Sequence, residues 1–228
     1  MIDDKMRVLK ERLLYRPAAF IGNHLSPNAI SILAFGAGML TAAAILLQNL
    51  TLALVLWIIN RVLDGLDGTV ARHTGRSSDF GGYLDILLDF IVYAAVPLAM
   101  TLHTASSRTD WILLALLLGI FYINAASWMY LSALLEKRRR ESLEMTLLHG
   151  NTDTRQNVED TGRLFTAVSM PSGLVEGTET IVLYTLFFIV PGYLQLLYAL
   201  LIAGTAVGII QRIVWARREF PTISGSAS

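Results

Sequence analysis

Cysteine is absent from the 228 residues, which removes disulfide frameworks, thiolate metal sites and cysteine nucleophiles at once. Any metal bound by this chain takes oxygen or imidazole ligands. Net charge is absent as well, 18 Lys and Arg balancing 18 Asp and Glu, so total charge selects no partner and gives no reason to expect nucleic acid. Residues 1–30 lack the short apolar core and cleavage site of a secretory signal. Charged residues of either sign make up only 16% of the chain against 54% hydrophobic, and the mean hydropathy is positive, which is too apolar for a soluble domain of this length.

Six largely apolar runs are present: Ala29 to Gln48, Leu52 to Leu63, Tyr83 to Met100, Trp111 to Leu135, Leu174 to Pro191 and Leu194 to Ala216. Most approach the roughly 20 residues that cross a bilayer core. The second is short because acids begin at Asp64; continued as helix to Arg72 it covers about 33 Å, long enough to cross with its polar end buried or wet. The expected fold is therefore all-α and integral to the membrane, with six transmembrane helices. Short connections at Asn49–Thr51 and Pro191–Tyr193 favour one bundle over residues 29–216, inside a single domain spanning 1–228.

Residues 1–25 carry Met6, Leu9, Leu13 and Leu14 among Lys5, Arg7, Lys10, Arg12 and Arg16, the pattern of an amphipathic helix lying in the inner interface. Ser26-Pro27-Asn28 reads as a helix start, with Ser26 as cap and Pro27 at the first helical position. Of the basic residues, Arg108 alone maps to the outer side, so both termini, including a tail over 217–228, are expected in the cytoplasm. The basic inner face would be drawn to anionic membrane lipids. A polar stretch from Glu136 to Ser169 opens with Lys137, Arg138, Arg139 and Arg140; it suits either a solvated anchoring run or a part of a substrate site.

The chemistry concentrates between Arg61 and Phe90. Asp64 and Asp67 lie three residues apart on a continuing second helix, and Asp85 and Asp89 four apart on the third, so each pair shares a face. A loop of about ten residues containing Gly75, Gly81 and Gly82 would fold the two helices into a hairpin and bring four carboxylates together near the cytoplasmic surface. Four anions in a half-buried pocket require a cation. All-oxygen ligation favours magnesium or manganese over zinc, and the excess of carboxylate leaves room for two ions. Such ions would bridge the acids to a diphosphate substrate. Gly65 and Gly68 suit close approach of either a ligand or another helix. Arg72 stands one turn after Gly68, placed to hold a phosphate or to pair with an acid. Asp79, ahead of Gly81 and Gly82, reads as a helix cap, and His73 as an interfacial loop residue.

Written out, Asp64 to Asp89 is D-x-x-D-G-x-x-A-R-x8-G-x3-D-x3-D. This resembles the signature of the CDP-alcohol phosphotransferase (CDP-alcohol phosphatidyltransferase) family at every defined position. The resemblance implies that Asp64, Asp67 and Asp85 ligate metal, and that Asp89 is both metal-associated and the general base for the incoming hydroxyl. It implies that Gly68, Ala71 and Arg72 meet the CDP moiety. The implied donor is CDP-diacylglycerol or another CDP-alcohol, the product a phospholipid or its precursor alongside CMP, and the assembly a homodimer in a prokaryotic cell membrane. The alcohol acceptor stays open. A phosphorylated acceptor needs basic residues, for which Arg76, Arg139, Arg155, Arg163 and Arg212 are available. Glu176 and Glu179 suit an amine or polyol acceptor, or pairing with Arg61 or Arg212.

Two other readings meet the same acids. An intramembrane prenyltransferase also binds a diphosphate through aspartates and magnesium, but with its acids split between two halves of a longer bundle. A divalent-cation transporter needs polar groups continuing to the outer face, whereas Ile32 to Ala44 is nearly all apolar or small.

Overall fold

A computed structural model of the chain describes residues 21–22, 24–149 and 177–220, and among these every regular element is helical. In chain order they are α1 (Pro27–Leu46), α2 (Leu50–Thr74), α3 (Asp79–Thr104), α4 (Arg108–His149), α5 (Gly177–Ile189) and α6 (Leu194–Glu219), with a 3-10 turn at Pro191–Tyr193 before α6. Four segments are long and apolar enough to cross a bilayer: α1, α3, Arg108–Ser142 of α4, and Pro191–Glu219. α2 has the length, but Arg61, Asp64, Asp67 and Arg72 interrupt its apolar character. α5 is apolar but only 13 residues long. The amphipathic segment expected over residues 1–25 falls almost wholly outside the described residues, as do Arg155, Arg163, Glu176 and residues 221–228.

The helix ends follow from local chemistry. Ser26 caps α1, its Oγ accepting from the Ala29 amide at 3.3 Å, and Pro27 occupies the first turn where no amide partner is needed. Between α1 and α2 the chain turns through Gln48 at φ 62, and Asn49 caps α2 by accepting from the Leu52 amide at 3.0 Å. α2 runs on to Thr74, where Gly75 takes the left-handed conformation at φ 64 and Arg76 N–H closes back on the Ala71 carbonyl at 3.0 Å. The expected ten-residue loop is thus the shorter Gly75–Ser78, because Gly81 and Gly82 already belong to α3. Its cap is Ser78 rather than Asp79: the Ser78 backbone is extended and its Oγ accepts from the Gly81 amide at 3.0 Å, leaving Asp79 as the first helical residue, where its charge suits the helix dipole.

By their internal contacts the described residues fall into two compact units, one holding 21–118 and 177–202, the other 119–149 and 203–220. In the first, α1 packs most extensively on α2 and next on α3. At Gly38 of α1 the helix α3 comes close, since a Cβ there would lie 2.5 Å from a Val92 methyl. Behind this contact Trp57, Tyr93, Tyr184, Phe187 and Tyr198 form a continuous series of stacked and edge-on rings. The polar ends of these rings repair a gap in α3. Pro97 has no amide hydrogen, so the Tyr93 carbonyl loses its helical partner, and the Tyr184 hydroxyl donates to it at 2.8 Å. Tyr198 donates to the Pro97 carbonyl at 2.7 Å, and the Trp57 indole to Thr185 Oγ1 at 3.0 Å. In the second unit Arg212 donates to Asn124 Oδ1 at 2.7 Å, and the Arg138 guanidinium lies 4.2 Å from the Phe220 ring centre.

Candidate active site

The α2–α3 hairpin brings the two aspartate pairs to one place. Asp67, only 4% exposed, receives the Ser31 hydroxyl of α1 on Oδ2 at 2.6 Å and the Gly68 amide on Oδ1. Asp85 lies within the electrostatic field of both Asp67 and Asp89, and Asp67 within that of Asp64 and Asp89, so the four carboxylates are linked into one cluster. Two cavities adjoin at Ser31 and Asp85. The larger, about 180 Å³, is lined on one side by Asp67, Gly68, Ala71 and Arg72 of α2 and on the other by Gly81, Gly82 and Asp85 of α3. Asn28 and Pro27 of α1 close its edge, and Arg76 stands in its wall. That is an order of magnitude beyond the roughly 10–15 Å³ that one water needs, so the cavity has room for a group of several heavy atoms. The smaller, about 10 Å³, is of single-ion or single-water size and is bordered by Asp64, Asp85 and Asp89 with Ser31 and Asn60.

Arg61 is the resident cation of this cluster. It is buried, 8% exposed, and its Nη2 lies 2.9 Å from Asp89 Oδ1 across the hairpin while Nη1 lies 3.6 Å from Asp64 Oδ2 on its own helix. Among the described residues no three acidic or histidine side chains already stand close enough to cage a metal ion. The contacts account for this: Arg61 draws Asp64 and Asp89 to one side, and Ser31 with the Gly68 amide holds Asp67 on the other. The donor set fits a hard divalent cation nonetheless. It is carboxylate and hydroxyl oxygen with no sulfur, in excess negative charge, beside a gap of ion size.

The sequence-expected residues divide clearly. Asp64, Asp67, Asp85, Asp89, Gly68, Ala71, Arg72 and Arg76 all border the two cavities. Glu179, in the first turn of α5, borders neither, and Arg139 belongs to the second unit, where it lies 3.6 Å from Glu136 on its own helix. Among the described residues the ion pairs of Arg61 are with the motif's own acids and not with Glu179. Sequence reading missed Ser31 and Asn60, which carry no local signal, and the role of Arg61, whose three-residue offset from Asp64 placed it on the same helical face.

Known proteins resemble the chain over this region and beyond. Residues 24–150 match the sequence model of a family described as CDP-alcohol phosphatidyltransferase. The Inner membrane protein YnjF of Escherichia coli is 30% identical over 172 residues, covering 74% of this chain and 72% of that protein. The phosphatidylinositol phosphate synthase PgsA1 of Mycobacterium tuberculosis, crystallised with CDP-DAG bound, superposes with a TM-score of 0.63 at 18% identity over 90% of this chain and 94% of that one. The same enzyme in complex with manganese and citrate superposes at 0.56 with 20% identity, covering 90% and 88%. The chain belongs to the CDP-alcohol phosphatidyltransferase family, and is a multi-pass membrane enzyme that transfers substituted phosphate groups.

Proposed function

We propose that this transferase moves a phosphatidyl group from CDP-diacylglycerol to the hydroxyl of an alcohol and releases CMP, in the synthesis of a phospholipid or its precursor. The observation that carries the reading is the pair of adjoining cavities that share Asp85, one bordered by Gly68, Ala71 and Arg72 and the other by Asp64 and Asp89. The likeness to a fold that holds CDP-DAG in PgsA1 supports the donor. Asp64, Asp67, Asp85 and Asp89 would hold two divalent ions, magnesium or manganese, and the manganese-containing PgsA1 crystal supports that choice. Bound there, such ions neutralise the diphosphate and stabilise charge on the departing phosphate.

The chain's own groups do the rest. Gly68 offers the donor a backbone without a side chain, and Arg72 faces its phosphates from the cavity wall. Ser31 fixes the rotamer of Asp67 through its hydroxyl. Asp89 takes the proton of the acceptor hydroxyl as that oxygen forms its bond to phosphorus. The bond from phosphorus to CMP breaks, and CMP leaves without a covalent enzyme intermediate. Arg76 is the acceptor-side cation that shares this cavity; Arg139, Glu176 and Glu179 are assigned to the acceptor by residue type alone. In the same reading α2 and α5 supply two further crossings, giving six, with the N-terminal amphipathic helix in the inner interface. The chain is then one domain over 1–228 that works as a homodimer, with both termini and the aspartates facing the cytoplasm.

The test is a product assay. Purified protein given CDP-diacylglycerol, magnesium or manganese, and a panel of glycerol 3-phosphate, inositol phosphate, inositol and serine should release CMP and yield one phosphatidyl product by mass spectrometry. Excess chelator should stop the reaction and added metal restore it, whereas undiminished turnover in chelator removes the two-ion part of the proposal. Turnover with a different CDP-alcohol and none with CDP-diacylglycerol overturns the donor assignment.

A further inference from the structure

The signature motif begins at Asp64, and Arg61 lies outside it, three residues upstream. Yet Arg61 is held from several sides. Its Nε donates to Asn60 Oδ1 at 2.7 Å and its Nη1 to the Tyr93 hydroxyl at 2.9 Å. Its guanidinium carbon sits 4.8 Å from the Trp57 ring centre and 5.0 Å from that of Tyr93. Each of these neighbours is itself tied down: Asn60 Nδ2 to the Ala34 carbonyl of α1 at 2.7 Å, Trp57 to Thr185 of α5, and the Tyr93 backbone carbonyl to Tyr184 of α5. Four helices therefore converge to fix one cation, and that cation faces two of the three acids that border the ion-sized gap, Asp64 and Asp89.

A buried arginine is costly to desolvate, and replacing such an ion pair by apolar side chains is often neutral or stabilising, so stability alone does not explain this socket. We propose that Arg61 is a built-in counter-ion and positioning residue of the transferase site, clamping Asp64 to Asp89 across the α2–α3 hairpin and restraining the cluster's attraction for divalent ions. The geometry supplies the reason. Four carboxylates in one half-buried place repel one another, and a fixed positive charge at 2.9 Å from one and 3.6 Å from another offsets that repulsion without entering the larger cavity, where the substrate phosphates belong. The planar fork matters as much as the charge, because two of its nitrogens address two carboxylates on different helices, which a lysine ammonium does less well. The proposal rests on the reading of these aspartates as cation ligands, and its test separates the two.

Full-length parent, Arg61→Gln and Arg61→Lys are purified in the same detergent and compared by melting in EDTA and in manganese, by electron paramagnetic resonance of bound against free Mn2+, and by turnover. Arg61→Gln should melt lower than the parent in EDTA and recover most of the loss when Mn2+ is added. It should bind Mn2+ at least about tenfold more tightly, because an opposing charge a few ångströms away has gone. Its turnover should fall by roughly 100-fold, since Asp89 is no longer held. Arg61→Lys should keep parental melting in EDTA and near-parental Mn2+ affinity while losing about tenfold in turnover. Equal melting losses in EDTA and in Mn2+ with unchanged Mn2+ affinity would make Arg61 an ordinary structural ion pair and overturn the proposal. If Arg61→Gln does not fold in any condition, parental turnover in Arg61→Lys overturns it alone. If the parent itself binds no Mn2+, the two-ion reading fails and the restraint on divalent ions falls with it; the positioning role is then read from turnover, where a fall of roughly 100-fold in Arg61→Gln and about tenfold in Arg61→Lys upholds it and parental turnover in either variant overturns it.

Discussion

Gly38→Ala is the smallest change that should disturb the site from outside it. An added Cβ would lie 2.5 and 2.9 Å from the two methyl groups of Val92 on α3, and 3.1 Å from Asn60 Nδ2 on α2. Carbon atoms in contact prefer about 3.5–4.0 Å, so the overlap with Val92 is about 1 Å. Val92 is 1% exposed and, being β-branched, has little χ1 freedom on a helix, so relief must come from displacement of α1 against α3. Overpacking of this kind costs about 1–3 kcal/mol, and the change from Gly to Ala in a helix returns about 1 kcal/mol. The net loss of stability is then only about 0–2 kcal/mol, which makes activity the sharper readout. Val92 and Asn60 both border the small cavity with Asp89, so the displacement reaches the carboxylates directly. A misplacement of about 1 Å in a reacting constellation costs roughly 100-fold in rate. The assay is CMP release by parent, Gly38→Ala and the Gly38→Ala/Val92→Ala pair, with melting curves in the same detergent. The pair removes both methyls that Ala at 38 would strike and should regain about tenfold or more of the lost rate. Single-variant turnover within about twofold of the parent, or a pair no faster than the single, would refute this account of how α1 sets the site.

Other perturbations read other contacts. Asp89→Asn should abolish transfer while circular dichroism and melting stay near parental, and a purified variant that turns over at the parental rate removes Asp89 as the base. Ser31→Ala deletes the 2.6 Å hydrogen bond to Asp67 and should raise the metal concentration for half-maximal activity by roughly 10- to 100-fold, read by titrating magnesium against rate; an unchanged titration would mean that Asp67 needs no such partner. Tyr184→Phe leaves the Tyr93 carbonyl without its donor and should cost about 1–3 kcal/mol, seen as a lower melting temperature. Adding Pro97→Ala returns an amide to that carbonyl, so the double variant should melt above the single.

Sequence reading reached some of these features because they are local. Asp64 with Asp67 and Asp85 with Asp89 share helical faces by spacing alone, and Ser26-Pro27 announced the start of α1. Ser78 and Asp79 are both good caps, and only the backbone decides between them; Ser78 is extended at φ -141 and Asp79 is already helical. The spacing carries α2 to Arg72, whereas the helix runs two residues further to Thr74, because only the left-handed backbone at Gly75 marks which of the nearby glycines stops it. Arg61 meets Asp89 over a separation of 28 residues. Ser31 meets Asp67 over a separation of 36. Such pairings depend on how helices pack, and no periodicity within one helix reports them. Among the described residues four segments are clear membrane-crossing candidates against six expected, because Arg61, Asp64, Asp67 and Arg72 lower the apolar character of α2 and α5 is 13 residues long.

The turn between the two aspartate helices has one more consequence. Eight positions, His73 to Phe80, separate Arg72 from Gly81 in the motif, and none of them has a required letter. In space they are nearly without slack. Gly75 closes one helix, Ser78 opens the next, and only Arg76 and Ser77 bridge them. One residue inserted within either flanking helical turn would rotate everything beyond it by about 100°, swinging Asp85 and Asp89 off the face that meets Asp64 and Asp67. The interval therefore works as a measuring rod: its wording is free, its length is not, and part of the instruction for the reaction is written as a count.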